Sequence, residues 1–248
     1  MKVLACYSMK GGVGKTATAV NMAWFAAEAG LRTLLVDMDP QGASSFYFRV
    51  KSKKKPWGKR FFSAYRHLVG HIKGSDYENL DVIPAHLSFR HFDVNLNNMS
   101  KSQKRLKRIL KGFQKEYDLV ILDCPPAISL LSENVFAAAD LILVPVIPTT
   151  LSERTLDQLQ QFFDDRGLQA GRIVPFFSMV QRQKQMHAGT MARLRKRNKR
   201  LLESVIPFSA DIEKMGEFRA PVGEFTRSRP AFIAYRSLWD EIRDSLVG

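Results

Sequence analysis

Two lysines lie among three glycines near the start of the chain, in the run KGGVGKT at 10–16. An apolar segment that predicts a strand precedes this run, and a segment that predicts a helix follows it. In that setting, glycines let backbone N–H groups surround a phosphate chain, and the helix N-terminus adds partial positive charge. Lys15 would reach the β- and γ-phosphates, and the Thr16 hydroxyl would bind Mg²⁺. The residues predicted to bind a nucleoside triphosphate are Lys10, Gly11, Gly12, Val13, Gly14, Lys15, Thr16 and Ala17.

The run departs from the strict phosphate-loop pattern G-x-x-x-x-G-K-[ST] at its first position. Met9 stands where that pattern has a glycine, and Lys10 adds a second lysine directly after it. A glycine-rich turn with an incidental lysine is the alternative interpretation. Acidic residues further along the chain favour the phosphate site.

Three aspartates follow apolar segments that predict buried strands. Asp123 ends the segment 119–122, where it can hold the metal through a water molecule. Asp37 and Asp39 follow the segment 34–36, and in a continuing strand their side chains would point to the same side. We predict that Asp39 orients the attacking water, and that Thr16, Asp39 and Asp123 form the metal site. Asp37 is the alternative to Asp39, and helix capping is the alternative role for these aspartates.

Apolar segments alternate with helical patterns along the chain, which predicts an α/β fold. We expect a mostly parallel, twisted sheet with helices on both faces, one domain over 1–248, and ligands at the carboxyl ends of the strands. The predicted strands are 3–7, 33–36, 80–83, 119–122, 141–146 and 173–177, and the clearest predicted helices are 17–29, 102–117 and 190–202.

The composition indicates what kind of partner the protein binds and in which cellular compartment it works. Thirty-eight lysines and arginines against 24 acidic residues give a net charge of +14, which favours a polyanionic partner. Cys6 and Cys124 lie in apolar segments, as expected of buried thiols in a reducing compartment. The sequence shows neither an apolar run long enough for a membrane span nor a secretory signal. We therefore expect a cytoplasmic protein that is not bound to a membrane.

These residues together resemble the ParA/MinD family of deviant Walker ATPases, in particular the ParA branch that partitions plasmids, chromosomes and large cargoes. The resemblance covers nearly the whole chain. It rests on KGGVGKT at 10–16, Asn21, VDMDPQG at 36–42, LDVIPA at 80–85, YDLVILDCPP at 117–126, and the closing run from IPFSADIEKMGEFRAPVGEF to AYRSLW.

The resemblance implies a P-loop fold and a Mg²⁺-dependent ATPase with weak intrinsic activity. Lys10 would be the signature lysine that reaches the partner's nucleotide in an ATP-sandwiched homodimer, so that Lys10, Lys15 and Asp39 are the implied catalytic residues. The ATP-bound dimer would bind nucleoid DNA without sequence preference, and a small ParB-like or adaptor protein would stimulate hydrolysis. Relatives often read the base with an asparagine where this chain has Ser178, and Pro207 with Phe208 would cover the base instead.

A basic segment supports the DNA prediction independently of the resemblance. On a helix over 190–202, Arg193, Arg197 and Arg200 would share one face, and the segment itself contains no acid to neutralise them. The flanking cations Arg195, Lys196 and Lys199 extend this predicted face. By family position, Arg219, Arg227 and Arg229 are further DNA candidates.

Several alternatives remain open. The segment 49–60 would contact nucleic acid or an adaptor, or would be a loop without a partner, and the cations of 101–115 would bind a partner or serve solubility. The main alternative function is a metabolic P-loop enzyme of the dethiobiotin synthetase type that uses ATP on a small substrate. A membrane-binding relative is disfavoured because the apolar residues Leu238, Trp239, Ile242 and Leu246 have core-helix spacing among acidic neighbours.

Overall fold

The computed structural model describes residues 1–227 and 229–246. Apolar segments form an eight-stranded sheet within these residues, in the order β3-β4-β2-β5-β1-β6-β7-β8. Neighbouring strands are parallel except for β3 and β4 at one edge. This confirms the predicted mostly parallel sheet. The strands are β1 (Lys2–Cys6), β2 (Thr33–Asp37), β3 (Lys73–Gly74), β4 (Leu80–Ile83), β5 (Leu119–Asp123), β6 (Leu141–Val146), β7 (Ile173–Val180) and β8 (Val205–Pro207).

Helices lie between the strands along the chain. Most connect the end of one parallel strand to the start of the next, as the parallel pairing requires. They are α1 (Lys15–Glu28), α2 (Ala43–Tyr47), α3 (Gly58–Phe61), α4 (Tyr65–Val69), α5 (Phe92–Asn97), α6 (Arg105–Leu110), α7 (Leu130–Ala138), α8 (Thr150–Asp165), α9 (Gln185–Arg197), α10 (Ala210–Glu213), α11 (Met215–Phe218) and α12 (Pro230–Leu246).

The two faces of the sheet carry separate hydrophobic cores. On β1, Val3 and Ala5 pack in one core, whereas Leu4 and Cys6 pack in the other, as the two-residue period of a strand requires. Helices α3 to α9 contribute to the first core, and α1, α11 and α12 contribute to the second. Helices therefore cover both faces, as predicted.

Asn21 joins the C-terminal part of the chain to α1. Its side-chain amide donates to the Ala17 carbonyl at 2.7 Å, and its side-chain oxygen accepts from the Val222 backbone N–H at 2.9 Å. The residue is fully buried. A buried backbone donor is costly to leave unpaired, so this amide ties the segment before α12 to the helix that follows the phosphate loop.

The predicted helix over 102–117 is wrong as one continuous helix. Only α6 is α-helical there, between 3₁₀ turns at Ser102–Lys104 and Lys111–Phe113. Gly112 lies in the second of these turns, where a Cβ atom would stand 2.4 Å from the Tyr65 ring. The expected inner face is nevertheless confirmed, because four apolar residues of the segment are buried: Leu106, Ile109, Leu110 and Phe113.

The segment 49–60 divides between core and surface. Trp57 is 5% exposed, stacks on His71 with ring centroids 3.7 Å apart, and donates from its indole N–H to Ser52 Oγ. The lysines of the segment are exposed. The aromatic residue thus belongs to the core rather than to a nucleic-acid contact.

No helix of the described residues is long and apolar enough to cross a membrane.

The buried stack on Trp57 predicts a pH-dependent stability. Burial, followed by repulsion from Lys53, lowers the pKa of His71 from 6.5 to about 4. The unfolded chain therefore binds a proton between these values that the folded chain excludes, so the free energy of unfolding falls as pH falls from 6.5 to 4. We expect His71→Phe, which keeps the stack, to remove about 1 kcal/mol of this loss after allowance for solvent screening.

Urea denaturation at a series of pH values measures this difference. The matched control is His91→Phe at an exposed position, which is expected to retain the pH dependence of the parent protein. Parallel stability curves for the parent and His71→Phe would contradict the prediction.

Candidate phosphate and metal site

The phosphate loop joins β1 to α1 at the carboxyl end of β1, which lies between β5 and β6 in the sheet. Gly12 and Gly14 have φ values of 69° and 93°, in the left-handed region that favours glycine. Gly14 is the N-cap residue of α1 and has no side chain that could accept a hydrogen bond from the helix. The first backbone N–H groups of a helix have no acceptor within the helix. The loop and helix N-terminus therefore offer donors and partial positive charge to an anion.

The two lysines of the loop contact each other through the backbone. Lys15 is 7% exposed, and its Nζ donates to the Lys10 carbonyl at 3.1 Å. Burial lowers the pKa of Lys15, and the nearby Asp123 carboxylate opposes that effect. Lys10 is half-buried, with its backbone N–H donating to Ser8 Oγ. The loop thus contains one enclosed cation and one that solvent can reach.

Asp37 and Asp123 lie side by side at the ends of β2 and β5, where they are register partners. Both are 0% exposed. Ser45 donates to Asp37 Oδ2 from both its backbone N–H and its hydroxyl, and Ser44 Oγ donates to Asp123 Oδ2 at 2.6 Å. Burial raises the pKa of each carboxyl, and repulsion from Asp123 adds to the effect on Asp37.

The remaining oxygen of each carboxyl fits a cation. Asp37 Oδ1 and Asp123 Oδ1 are buried and have no hydrogen-bond partner among the described residues. The same residues contain no group of three or more His, Cys, Asp or Glu side chains that could hold a metal by themselves. In nucleotide sites Mg²⁺ takes only one or two protein carboxylates beside waters and phosphate oxygens. The donors at the carboxyl ends of β2 and β5 are therefore suited to Mg²⁺ bound together with a triphosphate.

Asp37 and Asp39 differ in their surroundings. Strand β2 ends at Asp37, so the expectation that both side chains point to one side of a continuing strand is wrong. Asp39 lies in the following loop, half-buried, and its Oδ1 accepts from the Gln41 backbone N–H. Asp39 is the carboxyl that water can reach, whereas Asp37 is enclosed beside Asp123. Sequence reasoning missed Ser44 and Ser45, although two adjacent hydroxyls directly after the 36–42 motif were a usable signal.

The three predicted base-contacting residues lie toward the carboxyl ends of the neighbouring strands β7 and β8. Ser178 lies inside β7, which extends beyond the predicted end, and is 2% exposed. A Cβ on Gly14 would stand 3.0 Å from Ser178 Oγ, so this hydroxyl supports the phosphate loop from below. Pro207 lines a separate depression of about 420 Å³ with Val180 and part of α12, whereas Phe208 is 47% exposed beside it. The base-reading role of these residues stays a prediction.

Comparison with known proteins identifies the family. A family model described as an AAA domain matches residues 1–169. The chain is 38% identical to the sporulation initiation inhibitor protein Soj of Bacillus subtilis over 146 residues, which span 58% of this chain and 58% of Soj. The chain belongs to the ParA/MinD-type P-loop ATPases.

Solved structures show how widely this ATPase fold is used. A putative plasmid partition protein from Borrelia burgdorferi, bound to AMPPNP, has a TM-score of 0.82 at 21% identity, over 98% of each chain. A cobyrinic acid a,c-diamide synthase from Mycobacterium smegmatis, with bound ADP and magnesium, has a TM-score of 0.76 at 24% identity, over 97% of this chain and 93% of that one. At these identities the likeness shows the fold alone.

The arginines of α9 that were predicted to bind DNA have acidic partners, contrary to expectation. Arg193 pairs with Glu153 at 3.3 Å, and Arg197 pairs with Asp157, both acids lying on α8. Arg195 pairs with Glu203. The sequence segment lacks acids, but α8 supplies them because it packs beside α9. The predicted unopposed arginine face is therefore wrong.

The predicted helix over 190–202 also differs from α9, which ends at Arg197. Asn198 Oδ1 accepts from the Arg200 backbone N–H, a turn that takes Arg200 off the helix, and its guanidinium donates to the Gly171 carbonyl. Arg200 therefore does not extend the row of Arg193 and Arg197. Lys196 and Lys199 are exposed.

The C-terminal candidates are also engaged within the chain. Arg229 pairs with Asp211 at 3.0 Å, and Arg227 lies over the Trp24 ring. Arg219 lies over the Phe46 ring, 4.6 Å from its centroid, and donates to the Phe46 carbonyl. Their DNA role stays a prediction.

The phosphate loop predicts a contrast between two of its glycines. Gly14→Ala would place a Cβ 3.0 Å from Ser178 Oγ at a φ of 93°, and is expected to lower the free energy of unfolding by about 1–3 kcal/mol. Gly11→Ala meets no heavy atom within 4 Å and is the matched control, with an expected change within about 0.5 kcal/mol. Urea denaturation measures both, and equal losses would contradict the prediction.

Proposed function

We propose that this chain is a Mg²⁺-dependent ATPase of the ParA type that positions a plasmid, chromosome or other large cargo. In this proposal ATP binding closes a homodimer, the dimer binds DNA without sequence preference, and a small ParB-like or adaptor protein stimulates hydrolysis and release. The protein would work in the cytoplasm, associated with the nucleoid. The 38% identity to Soj favours this function over a metabolic one.

One observation carries the ATPase part of the proposal. A glycine loop with an enclosed lysine lies beside two buried carboxyls, each with one oxygen that lacks a hydrogen-bond partner among the described residues. Such carboxyls are costly to bury unless a cation or donor satisfies them. A triphosphate with its metal supplies both the anion for the loop and the cation for the carboxyls.

The phosphate loop, its two lysines and Asp39 have separate roles in this mechanism. The loop N–H groups and the N-terminus of α1 hold the phosphate oxygens, and Lys15 holds the β- and γ-phosphates. Asp39 orients the attacking water from the loop after β2. Lys10 extends toward the nucleotide of the second protomer and stabilises charge on the transferring phosphoryl group. Hydrolysis is then fast only in the dimer.

Thr16 and Asp123 would hold Mg²⁺, with Asp37 or Asp39 as the further carboxylate. When bound, Mg²⁺ would neutralise part of the charge that develops during phosphoryl transfer. Ser44 and Ser45 keep Asp123 and Asp37 in position by donating to one oxygen of each. The other oxygen of each carboxyl stays free to face the metal or its waters.

Replacing either of the two lysines of the phosphate loop is expected to impair a different step. Lys15→Ala is expected to weaken ATP binding about tenfold or more, because it removes the buried cation that holds the phosphates. Lys10→Ala is expected to keep most ATP binding but to lower turnover about a hundredfold or more and to abolish its rise with protein concentration. A fluorescent ATP analogue measures binding, and phosphate release measures turnover.

Lys53→Ala, at an exposed position outside the loop, is the matched control and is expected to behave as the parent protein. If Lys10→Ala retained turnover that rises with protein concentration, the role of Lys10 in the second protomer would be wrong. A metabolic enzyme of the dethiobiotin synthetase type would instead show turnover that depends on a small substrate and is indifferent to DNA.

The water-orienting role of Asp39 is tested by trapping the dimer. Asp39→Ala is expected to bind ATP and accumulate as a dimer in light scattering, with single-turnover hydrolysis slowed about a hundredfold. Asp164→Ala, an exposed aspartate on α8, is the control that should turn over normally. Hydrolysis by Asp39→Ala at the parent rate would transfer this role to another group, with Asp37 the first candidate.

A further inference from the structure

The positive charge of the chain is concentrated in one part of it. Residues 51–115 contain sixteen lysines and arginines and four acids, whereas residues 116–165 contain one arginine and nine acids. The first part builds α3 to α6, and the second includes α7 and α8. The basic helix α9 packs on the acidic part, so its arginines are neutralised locally. The cations of 51–115 therefore account for most of the excess charge.

One concentration of cations within this part is a group that we name the 101–111 patch. Its cations are exposed, and none lies within 4 Å of a carboxylate among the described residues. With Ser102 and Gln103 they line a depression of about 710 Å³, in which every lining residue has a polar or charged side chain. The cations of the patch are Lys101, Lys104, Lys107, Arg108 and Lys111.

The spacing of the patch suits a regular array of negative charges. Lys107 and Arg108 come three and four residues after Lys104, and Lys111 comes four and three residues after them, which places the four cations along one side of α6 and its flanking turns. The run from Lys104 to Lys111 rises about 10 Å, and duplex DNA presents about six phosphates over that length. A row of long cationic side chains can therefore meet several phosphates at once.

The apolar side of this segment points into the protein. Leu106 and Ile109 are buried in the first core, and the Leu106 backbone N–H donates to Asn134 on α7. Protein interfaces are enriched in aromatic side chains and depleted in lysine, and membrane-binding helices need an accessible apolar face. The patch has neither feature, which favours a polyelectrolyte over an acidic protein or a lipid surface.

The patch is formed by residues other than those of the phosphate and metal site. Gln103 donates to Glu133 in the first turn of α7, and the Leu106 backbone N–H donates to the side chain of the next residue, Asn134. The patch is therefore a charged surface separate from the residues that would hold the nucleotide.

We infer that the 101–111 patch, rather than the arginines of α9, is the surface on which this chain binds the phosphate backbone of duplex DNA. This inference rests on the DNA binding in the proposed function and names the surface that performs it. Contacts of this kind are independent of base sequence and weaken with salt in proportion to the number of phosphates neutralised.

The test compares two variants that remove the same amount of charge. K104Q/K107Q/R108Q/K111Q alters the patch, and R154Q/K214Q/R236Q/R243Q alters exposed cations elsewhere. Fluorescence anisotropy with a labelled duplex of arbitrary sequence is measured against salt concentration, with ATP present. The patch variant is expected to lose up to about 3.6 of the log–log salt slope, at about 0.9 for each phosphate contact removed. The control variant is expected to keep the parent slope.

Two further variants complete the experiment. K104R/K107R/K111R keeps the charge of the patch and is expected to keep the parent slope, so a loss there would overturn a purely electrostatic contact. R193Q/R197Q alters the ion-paired arginines of α9, and a slope reduced by this variant but not by the patch variant would assign DNA binding to α9. Circular dichroism and ATP-analogue binding verify that each variant is folded.

The outcomes separate this inference from the function on which it rests. If the parent protein binds no duplex in any nucleotide state, the DNA part of the proposed function is wrong and the inference falls with it. If the parent binds and the patch variant matches the control, only the inference is wrong. Binding to anionic vesicles that the patch variant loses, with DNA binding unchanged, would assign the patch to a membrane and overturn the inference.

Discussion

Two carboxyls that repel each other lie at the centre of the site. Asp37 and Asp123 end adjacent parallel strands in register, so the sheet holds them side by side with no exposure to solvent. Two serines after β2 and the enclosed Lys15 relieve part of this cost, but one oxygen of each carboxyl has no partner among the described residues. The fold therefore holds two carboxyl oxygens where a bound cation would stabilise them. The neighbouring phosphate loop can bind the anion that accompanies that cation.

The charge of each surface likewise depends on residues from other parts of the chain that pack beside it. In the segment 166–202, which has ten lysines and arginines and no acid, Arg193 and Arg197 pair with acids where α9 packs on α8. The cations of α6 meet no such partner, because their helix packs on α7 through its apolar side and leaves its polar side to solvent. The composition of a segment therefore does not predict the electrostatic field around the folded chain, since that field depends on which elements are neighbours.

Much of the fold and part of the site were predictable from local patterns. Six of the eight strands described match predicted apolar segments within a few residues, because continuous apolar runs bounded by turns have few other ways to be buried, whereas the short strands β3 and β8 were not predicted. The single helix predicted over 102–117 is instead α6 between two 3₁₀ turns, and at Gly112 the Tyr65 ring of a distant segment packs against the backbone. Contacts of this kind leave no trace in the periodicity of the segment itself.

The sequence by itself determined the phosphate loop, the alternation of strands and helices, and the acids at the strand ends, because each of these depends on residues that are neighbours along the chain. Only the tertiary structure decided that Asp37 pairs with Asp123, that Ser178 supports Gly14, and that α8 neutralises the arginines of α9. Strand order and helix packing set these relations between segments far apart in the sequence. The energy of burying or pairing a charge depends on such neighbours rather than on the local run of residues.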